Sequence, residues 1–216
     1  MKKQFAVVLS GCGVYDGAEI HEATLTLLAI ARQGASYQCF APDIRQAHVV
    51  NHLTGEVMNQ ERSVLVESAR IARGNIKPLR DFQASAFDAI VFPGGFGVAK
   101  NLCTYAFDGD RCTVDPDTEK AVRDMHGMGK PIGALCISPV LISRIIGDVQ
   151  VTIGSDAATA ADISRMGGKH VVGTHGEVVT DPENRVVTTP CYMLDATIDQ
   201  IASGAENLVK TILEMV

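Results

Sequence analysis

The amino-acid sequence predicts an α/β protein with an open, doubly wound and largely parallel sheet that carries helices on both faces. Apolar runs of four or five residues recur along the chain, which is typical of strands buried on both sides. Longer stretches with the helical spacing of apolar residues separate these runs, so that strands and helices alternate. No internal repeat of roughly 20 to 50 residues is present, which argues against a solenoid.

The bounds of the elements follow from these patterns and from the residues that interrupt them. The first helix ends at Gly34, a residue that favours a left-handed C-cap. Two late runs, Glu177–Thr180 and Arg185–Thr188, flank the turn sequence Asp181–Asn184, which predicts an antiparallel hairpin appended at a sheet edge. The other predicted strands are Phe5–Leu9, Tyr37–Phe40, Ala89–Phe92, Pro131–Leu135 and Val149–Ile153. The predicted helices are Ala18–Gln33, Ser63–Arg73, Asp115–Gly129, a helix directly after Cys136, Ala157–Met166 and Asp195–Met215.

Composition restricts the class of protein. No linker rich in proline, serine or charge divides the 216 residues, so we expect residues 1–216 to form a single domain. The apolar fraction of 46% is enough for a sizeable core. The net charge of -6 is spread without a basic stripe, which argues against a nucleic-acid partner.

The N-terminal apolar run is too short for the core of a signal peptide, and no run approaches the length of a membrane span. The six cysteines are scattered without the short repeated spacing of a disulfide framework or a zinc site. Reduced thiols of this kind predict a cytoplasmic protein with no membrane partner.

Cys136 is the first candidate for a functional residue, because Gly133-Ala-Leu-Cys-Ile-Ser-Pro139 reads as a strand followed directly by a helix. A cysteine at such a turn projects from the backbone, and the helix N-terminus is expected to lower the thiol pKa. Ala134 and Ser138 leave the space that the tight turn needs. An inert buried cysteine is the alternative, and this segment alone does not exclude it.

A glycine pair and two acids complete the candidate site. Gly94 and Gly95 follow another strand, where unobstructed backbone amides, together with the amide of Ile137, can form an oxyanion pocket. An ordinary turn is the alternative. Glu19 and Glu22 lie on one side of the first helix, and one of them is expected to face the cysteine and move protons. Their alternative role is compensation of the helix dipole.

These segments, taken together, resemble the ThiJ/PfpI superfamily over nearly the whole chain. The superfamily's helix start, Gly-Ala-Glu-x-x-Glu, is similar to Gly17–Glu22, its Pro-Gly-Gly turn to Pro93–Gly95, and its cysteine elbow to Ala134–Pro139. The resemblance implies a flavodoxin-like, class I glutamine amidotransferase-like fold. It also implies that Glu22 is the acid in contact with the cysteine and that Glu19 is at most accessory.

Three further segments, Leu9–Gly17, Asn51–Gly55 and Thr188–Met193, resemble the bacterial ElbB branch, which is named for isoprenoid biosynthesis and for glyoxalase activity. This resemblance implies a lyase that converts glyoxal to glycolate through a hemithioacetal on Cys136, without glutathione or any other cofactor. Deglycase activity on glycated amines is an extension of the same chemistry. The substrate would be a small dicarbonyl or aldehyde, and relatives of this kind are commonly homodimers.

Relatives with a third catalytic residue have a histidine where this sequence has Asp156, so we expect Asp156 to orient water or substrate instead. Cys12 is a possible disulfide partner of Cys136, which would indicate a redox or stress-response protein. His175 and Glu177 have the spacing found in glutamine amidotransferases. Because the following residues read as a hairpin, glutamine hydrolysis is a minor alternative. His21, His48 and His52 lack the partners of a metal site, so no metal is expected.

Overall fold

The computed structural model describes residues 2–216, and strands and helices alternate along them as the sequence predicts. The strands are β1 (Gln4–Val8), β2 (Ser36–Ala41), β3 (Ile76–Pro78), β4 (Ala89–Phe92), β5 (Ile132–Leu135), β6 (Gln150–Val151), β7 (Lys169–His170), β8 (Val179–Asp181) and β9 (Val186–Thr189). The α-helices are α1 (Ile20–Arg32), α2 (Val64–Ile71), α3 (Tyr105–Asp108), α4 (Pro116–Gly127), α5 (Ser138–Ile146), α6 (Ala157–Arg165) and α7 (Ile198–Leu213).

Seven strands form the main sheet in the order β3-β2-β1-β4-β5-β9-β8. All neighbours are parallel except β8 and β9, which form the predicted antiparallel hairpin. From β1 the chain builds outward through β2 and β3, and it then returns to add β4 and β5 on the other side. The sheet is therefore doubly wound, with its switch point between β1 and β4.

Three details of the main sheet differ from the sequence prediction. The run Val149–Ile153 was predicted as a strand of the main sheet, but β6 pairs only with β7 in a separate two-stranded sheet. The position beside β5 belongs to β9, whose Val186 aligns with Ile132. The hairpin is therefore part of the main sheet, and of its two strands only β8 lies at an edge. Strand β3 was not predicted, because three residues that include Lys77 give no apolar run.

The pleat of the strands divides the core between two faces. On one face, Phe5, Val7 and Val91 pack with residues of α1 and α7. On the other face, the alternating residues Ala6 and Val8 pack with residues of α4 and α5. Helices therefore cover both faces, which explains why the central strands are apolar at every position from Phe5 onward.

Gly133 marks the place where α7 approaches β5 most closely. A Cβ atom there would lie 2.7 Å from Cδ1 of Ile212 and 2.9 Å from Cδ2 of Leu208. We expect Gly133→Ala to destabilise the protein by about 1–3 kcal/mol, because the side chains of α7 must shift out of a filled core. Urea unfolding measures the loss.

Gly127 provides the matched control, since it lies in α4 and a Cβ atom there meets nothing within 4 Å. Gly127→Ala is expected to be neutral or to stabilise by up to about 1 kcal/mol through helix propensity. Equal effects of the two substitutions would contradict the packing argument.

Candidate active site

Cys136 occupies the turn between β5 and α5, as predicted. Its φ of 59° lies in the left-handed region, which is uncommon for a residue with a side chain and typical of a strained functional turn. The Cys136 amide donates to the carbonyl of Thr189 at the end of β9 (2.9 Å). The Ser138 hydroxyl donates to the carbonyl of Pro93 after β4 (3.0 Å). Two neighbouring strands therefore hold the turn in place.

Glu22 lies on α1 and is fully buried beside this turn. Its Oε2 accepts a hydrogen bond from the Gly94 amide (2.9 Å), and its Oε1 accepts one from the Tyr192 amide (3.2 Å). The carboxyl group is also in hydrogen-bond contact with the thiol of Cys136. Backbone amides on both oxygens fix the carboxyl plane, so the carboxyl proton is left to bridge to sulfur.

Gly94 contributes space to the site and not an oxyanion donor. A Cβ atom at this position would lie 2.4 Å from Cβ of Cys136 and 2.6 Å from Oε2 of Glu22. The prediction that its amide binds an oxyanion is wrong, because that amide already donates to Glu22. The amides of Gly95 and Ile137 do point at the sulfur of Cys136, so two of the three predicted donors lie beside the thiol.

The thiol and the carboxyl group both hold their protons more tightly than usual. Burial, and then the negative charge of Glu19, raises the pKa of Glu22 to about 8. Burial, and then the charge of Glu22, raises the pKa of Cys136, which contradicts the predicted lowering by the helix N-terminus. The amides of Gly95 and Ile137 do favour the thiolate, but they are outweighed because the residue is only 7% exposed. The pair therefore titrates as a unit.

Glu19 is the N-cap of α1. Its Oε2 accepts a hydrogen bond from the Glu22 amide (2.7 Å), and its own amide donates to the carbonyl of Gly94 (2.9 Å). Capping is the role that the sequence left open for it. Its carboxylate also acts on the site at a distance, because its charge raises the pKa of Glu22.

Asp156 has a structural role at the start of α6. It is exposed and caps this helix, where its Oδ1 accepts a hydrogen bond from the Thr159 amide (2.8 Å), and this bonding lowers the pKa of Asp156. The orientation of water or substrate by Asp156 stays a prediction.

Cys12 is half-buried in the loop after β1, and no disulfide joins it to Cys136, since all six cysteines are free thiols. Burial, and then the charge of Glu67, raises the pKa of Cys12. Arg70 and Asp16 are its other charged neighbours. The predicted disulfide with Cys136 is not formed in this structure.

Two residues of the site were missed by the sequence analysis. Tyr192 holds Glu22 through its amide, and its hydroxyl pairs with Nδ1 of His21 (2.8 Å). Cys191 is buried with a φ of 42°, and the charges of Glu22 and Cys136 contribute to raising its pKa after burial. Both residues follow β9, whose carboxyl end lies beside that of β5. A strand placed beside β5 would have indicated that the residues after it belong to the site. The sequence analysis instead places this hairpin at the edge of the sheet.

Residues 2–216 contain neither a metal site nor a membrane-spanning helix of the kinds described next. Within this part of the chain, no group of three or more His, Cys, Asp or Glu side chains could hold a metal ion. Among the helices described, none combines the length and the apolar character needed to cross a membrane.

Sequence comparison identifies the family, although no family model matches the chain. The rat protein named ES1 protein homolog, mitochondrial, is 46% identical over 224 residues, which cover 99% of this chain and 84% of the rat protein. The chain belongs to the ES1 family. A human member, glutamine amidotransferase-like class 1 domain-containing protein 3, mitochondrial, is 46% identical over 97% of this chain and 82% of its own length.

Solved structures agree with this assignment. An isoprenoid biosynthesis protein with an amidotransferase-like domain from Ehrlichia chaffeensis has a TM-score of 0.92 and 38% identity, and the match covers 99% of this chain and all of that one. The predicted resemblance is thereby confirmed for proteins with a class I glutamine amidotransferase-like domain, which include this isoprenoid biosynthesis protein. Proteins of the ThiJ/PfpI type share the fold. Glyoxalase III from Candida albicans has a TM-score of 0.63 at 14% identity over 99% of this chain and 97% of its own, and it shares the fold.

The predicted cytoplasmic location is contradicted by the ES1 relatives, because both the rat and the human protein are named as mitochondrial. Unpaired cysteines indicate a reducing environment. They do not distinguish one reducing compartment from another, so the cysteine pattern was not sufficient for this prediction.

The raised pKa of Glu22 gives a prediction about stability. The unfolded chain releases this proton near pH 4.3, whereas the folded chain keeps it until about pH 8. Folding is therefore favoured by this group at low pH, and the advantage is lost as the pH rises between these values, by roughly 5 kcal/mol at most. Glu22→Gln removes this slope. The unfolding free energy of the variant minus that of the wild type should rise between pH 5 and pH 9.

Glu206→Gln is the control, because Glu206 is a partly exposed acid on α7 whose pKa is lowered by its pairing with Lys210. The unfolding free energy of Glu206→Gln minus that of the wild type should not rise between pH 5 and pH 9. Denaturant unfolding at five or more pH values gives both curves. A difference for Glu22→Gln that stays flat from pH 5 to pH 9 would show that the buried carboxyl is not protonated in the folded state.

Proposed function

We propose that this ES1 family member is a cofactor-independent glyoxalase that converts glyoxal, or a similar small dicarbonyl, to the corresponding hydroxy acid. The observation that carries the proposal is the contact between the thiol of Cys136 and the buried carboxyl group of Glu22, with the amides of Gly95 and Ile137 directed at the sulfur. This arrangement supplies a nucleophile, a proton carrier and an oxyanion pocket.

The first step is attack of sulfur on an aldehyde carbon. The reactive form of the pair has lost one proton, so that thiolate and carboxylic acid, or thiol and carboxylate, share the one that remains. When the carbon–sulfur bond forms, the aldehyde oxygen gains negative charge. The amides of Gly95 and Ile137 stabilise this charge, and the acid of Glu22 supplies the proton that gives the hemithioacetal.

The second step moves a proton between the two carbons of the substrate. The carboxylate of Glu22 takes the proton from the carbon bonded to sulfur and gives it to the neighbouring carbonyl oxygen, which forms an enediol. It then moves the proton of the other hydroxyl group to the neighbouring carbon, so that the carbon bonded to sulfur becomes a carbonyl. The product is a thioester of the hydroxy acid on Cys136. No electron leaves the substrate, because one carbon is oxidised while its neighbour is reduced.

Water then cleaves the thioester, which releases glycolate from glyoxal and restores the thiol. A raised pKa suits Glu22 for this sequence, because the same group must accept and donate protons near neutral pH. The name of glyoxalase III from Candida albicans, which has the same fold, agrees with the reaction class.

Two other functions have less support. The names of some relatives indicate glutamine hydrolysis as one alternative. This reaction would use a histidine as base, but His175, the predicted candidate, is exposed on the loop before β8. The proton carrier beside Cys136 is instead a carboxyl group. Redox sensing through Cys136 needs no proton carrier, so it leaves the buried carboxyl group of Glu22 beside the thiol without a role.

The thiol of Cys136 is tested by substitution. Cys136→Ala is expected to reduce the formation of glycolate from glyoxal, measured by NMR without glutathione, by at least about 1000-fold, because the covalent path is lost. Cys39→Ala, which removes a buried thiol from β2, should keep wild-type turnover. Full turnover by Cys136→Ala would refute the proposal.

The proton carrier is tested by the pH dependence of kcat/KM. We expect kcat/KM to rise with pH around a midpoint of about 8 and to level off about one pH unit higher, because the pair must lose one proton before attack. Glu19→Gln should move the midpoint to lower pH, since the charge of Glu19 raises the pKa of Glu22. Glu22→Gln should abolish the rise together with most of the activity. A midpoint that is identical in the wild type and Glu19→Gln would show that another group controls the rate.

A further inference from the structure

A second pair of cysteines, Cys103 and Cys112, lies away from the candidate active site. Cys103 packs into the core cluster on the α4 and α5 face of the sheet, whereas Cys136 packs on the face covered by α1 and α7. The two cysteines close a loop that contains α3. Cys103 forms an antiparallel bridge with Val114, and the Thr104 amide donates to the carbonyl of Thr113 (2.9 Å).

This bridge brings the two thiols together. Cys112 precedes Val114 by two residues, so its side chain is the diagonal neighbour of Cys103 across the pair. The thiol of Cys103 is in hydrogen-bond contact with the sulfur of Cys112. The single S–H of Cys103 is shared between this sulfur and the carbonyl of Val98, which lies 3.3 Å from the Cys103 sulfur. Because Cys103 is the donor of the hydrogen bond between the two sulfurs and Cys112 is the acceptor, Cys112 is the better site for negative charge.

Arg144, in the last turn of α5, adds positive charge at Cys112. Its Nε donates to the carbonyl of Cys112 (2.7 Å). The hydrogen bond from Cys103, and then the guanidinium of Arg144, lowers the pKa of Cys112. Arg123 joins Arg144 on the wall of a cleft of about 280 Å³ that Cys112 also lines. Both cysteines have almost no exposed surface, so only a small reagent entering from this cleft could reach them.

We propose that Cys103 and Cys112 form a redox-active dithiol that hydrogen peroxide converts to a reversible disulfide. The thiolate of Cys112 attacks one peroxide oxygen, which gives a sulfenic acid on Cys112 and hydroxide. The sulfur of Cys103 then displaces the sulfenic oxygen and loses its own proton, which forms the S–S bond and water. Two electrons pass from the two sulfurs to one peroxide. Two molecules of a small thiol such as glutathione reverse the reaction by exchange.

The sequence allows a direct test, because Arg111 lies between the two cysteines. Trypsin cleaves after Lys100, Arg111 and Lys120, so Cys103 and Cys112 leave the protein on separate peptides, 101–111 and 112–120. The folded protein is treated with hydrogen peroxide, blocked with iodoacetamide in denaturant, and digested. We expect the two peptides to appear joined, two hydrogens lighter than their sum, and to separate when glutathione is added before blocking.

Single substitutions distinguish the roles of the two thiols. In Cys103→Ser, Cys112 should accumulate as sulfenic and sulfinic acid, because the second thiol is missing. In Cys112→Ser, Cys103 should remain a thiol and be alkylated. The control Cys39→Ser should form the joined peptide as the wild type does, and circular dichroism before treatment confirms that each variant is folded.

Two results would overturn the proposal. The first is complete alkylation of both cysteines in the wild type at peroxide concentrations that already oxidise other thiols of the chain. The second is direct conversion of Cys112 to sulfinic acid in the wild type without the joined peptide. Either result would mean that the two cysteines only fill the core.

Discussion

The hydrogen bonds that hold the Glu22 carboxyl group are the constraint on which the site depends. One oxygen is bound by an amide from the loop after β4, and the other by an amide from the loop after β9. The group is thereby fixed in a place where water does not reach it, and this place raises its pKa. Without both amides a buried carboxyl would be free to turn away from sulfur. The glycine at position 94 completes the arrangement, since any side chain there would separate acid and thiol.

Much of the fold could be predicted from local patterns. The runs that became β1, β4 and β5 are apolar at nearly every position, which is the signature of buried parallel strands. The turn at Cys136 was recognised because a strand and a helix meet without a linker. The order in which the strands pair in the sheet could not be predicted from local patterns. Nothing within the run Val186–Thr189 shows that it aligns with β5, because strand partners are chosen by contacts across the whole sheet.

The same limit explains what was right and wrong about the site. Cys136 was identified by its local signature at a strand end. The helix start indicated Glu19 or Glu22, and the superfamily resemblance indicated Glu22. Tyr192 and Cys191 were missed because their importance comes from the placement of β9. The direction of the thiol pKa was wrong because the helix N-terminus is visible in sequence, whereas the depth of burial is not. Asp156 was proposed as a site residue because relatives have a histidine at the corresponding position. Its hydrogen bond to the Thr159 amide shows that it caps α6.

The position of β9 also decides when the site can exist during synthesis. Glu22 and the Tyr192 amide that binds it are 170 residues apart in the chain. Until residues 186–192 have left the ribosome and paired with β5, one oxygen of the carboxyl has no donor and the Cys136 amide lacks its acceptor on Thr189. Long-range pairing of this kind forms late in folding. A nascent chain therefore carries the cysteine and the acid as separate, ordinary side chains, and the coupled pair arises only in the folded product.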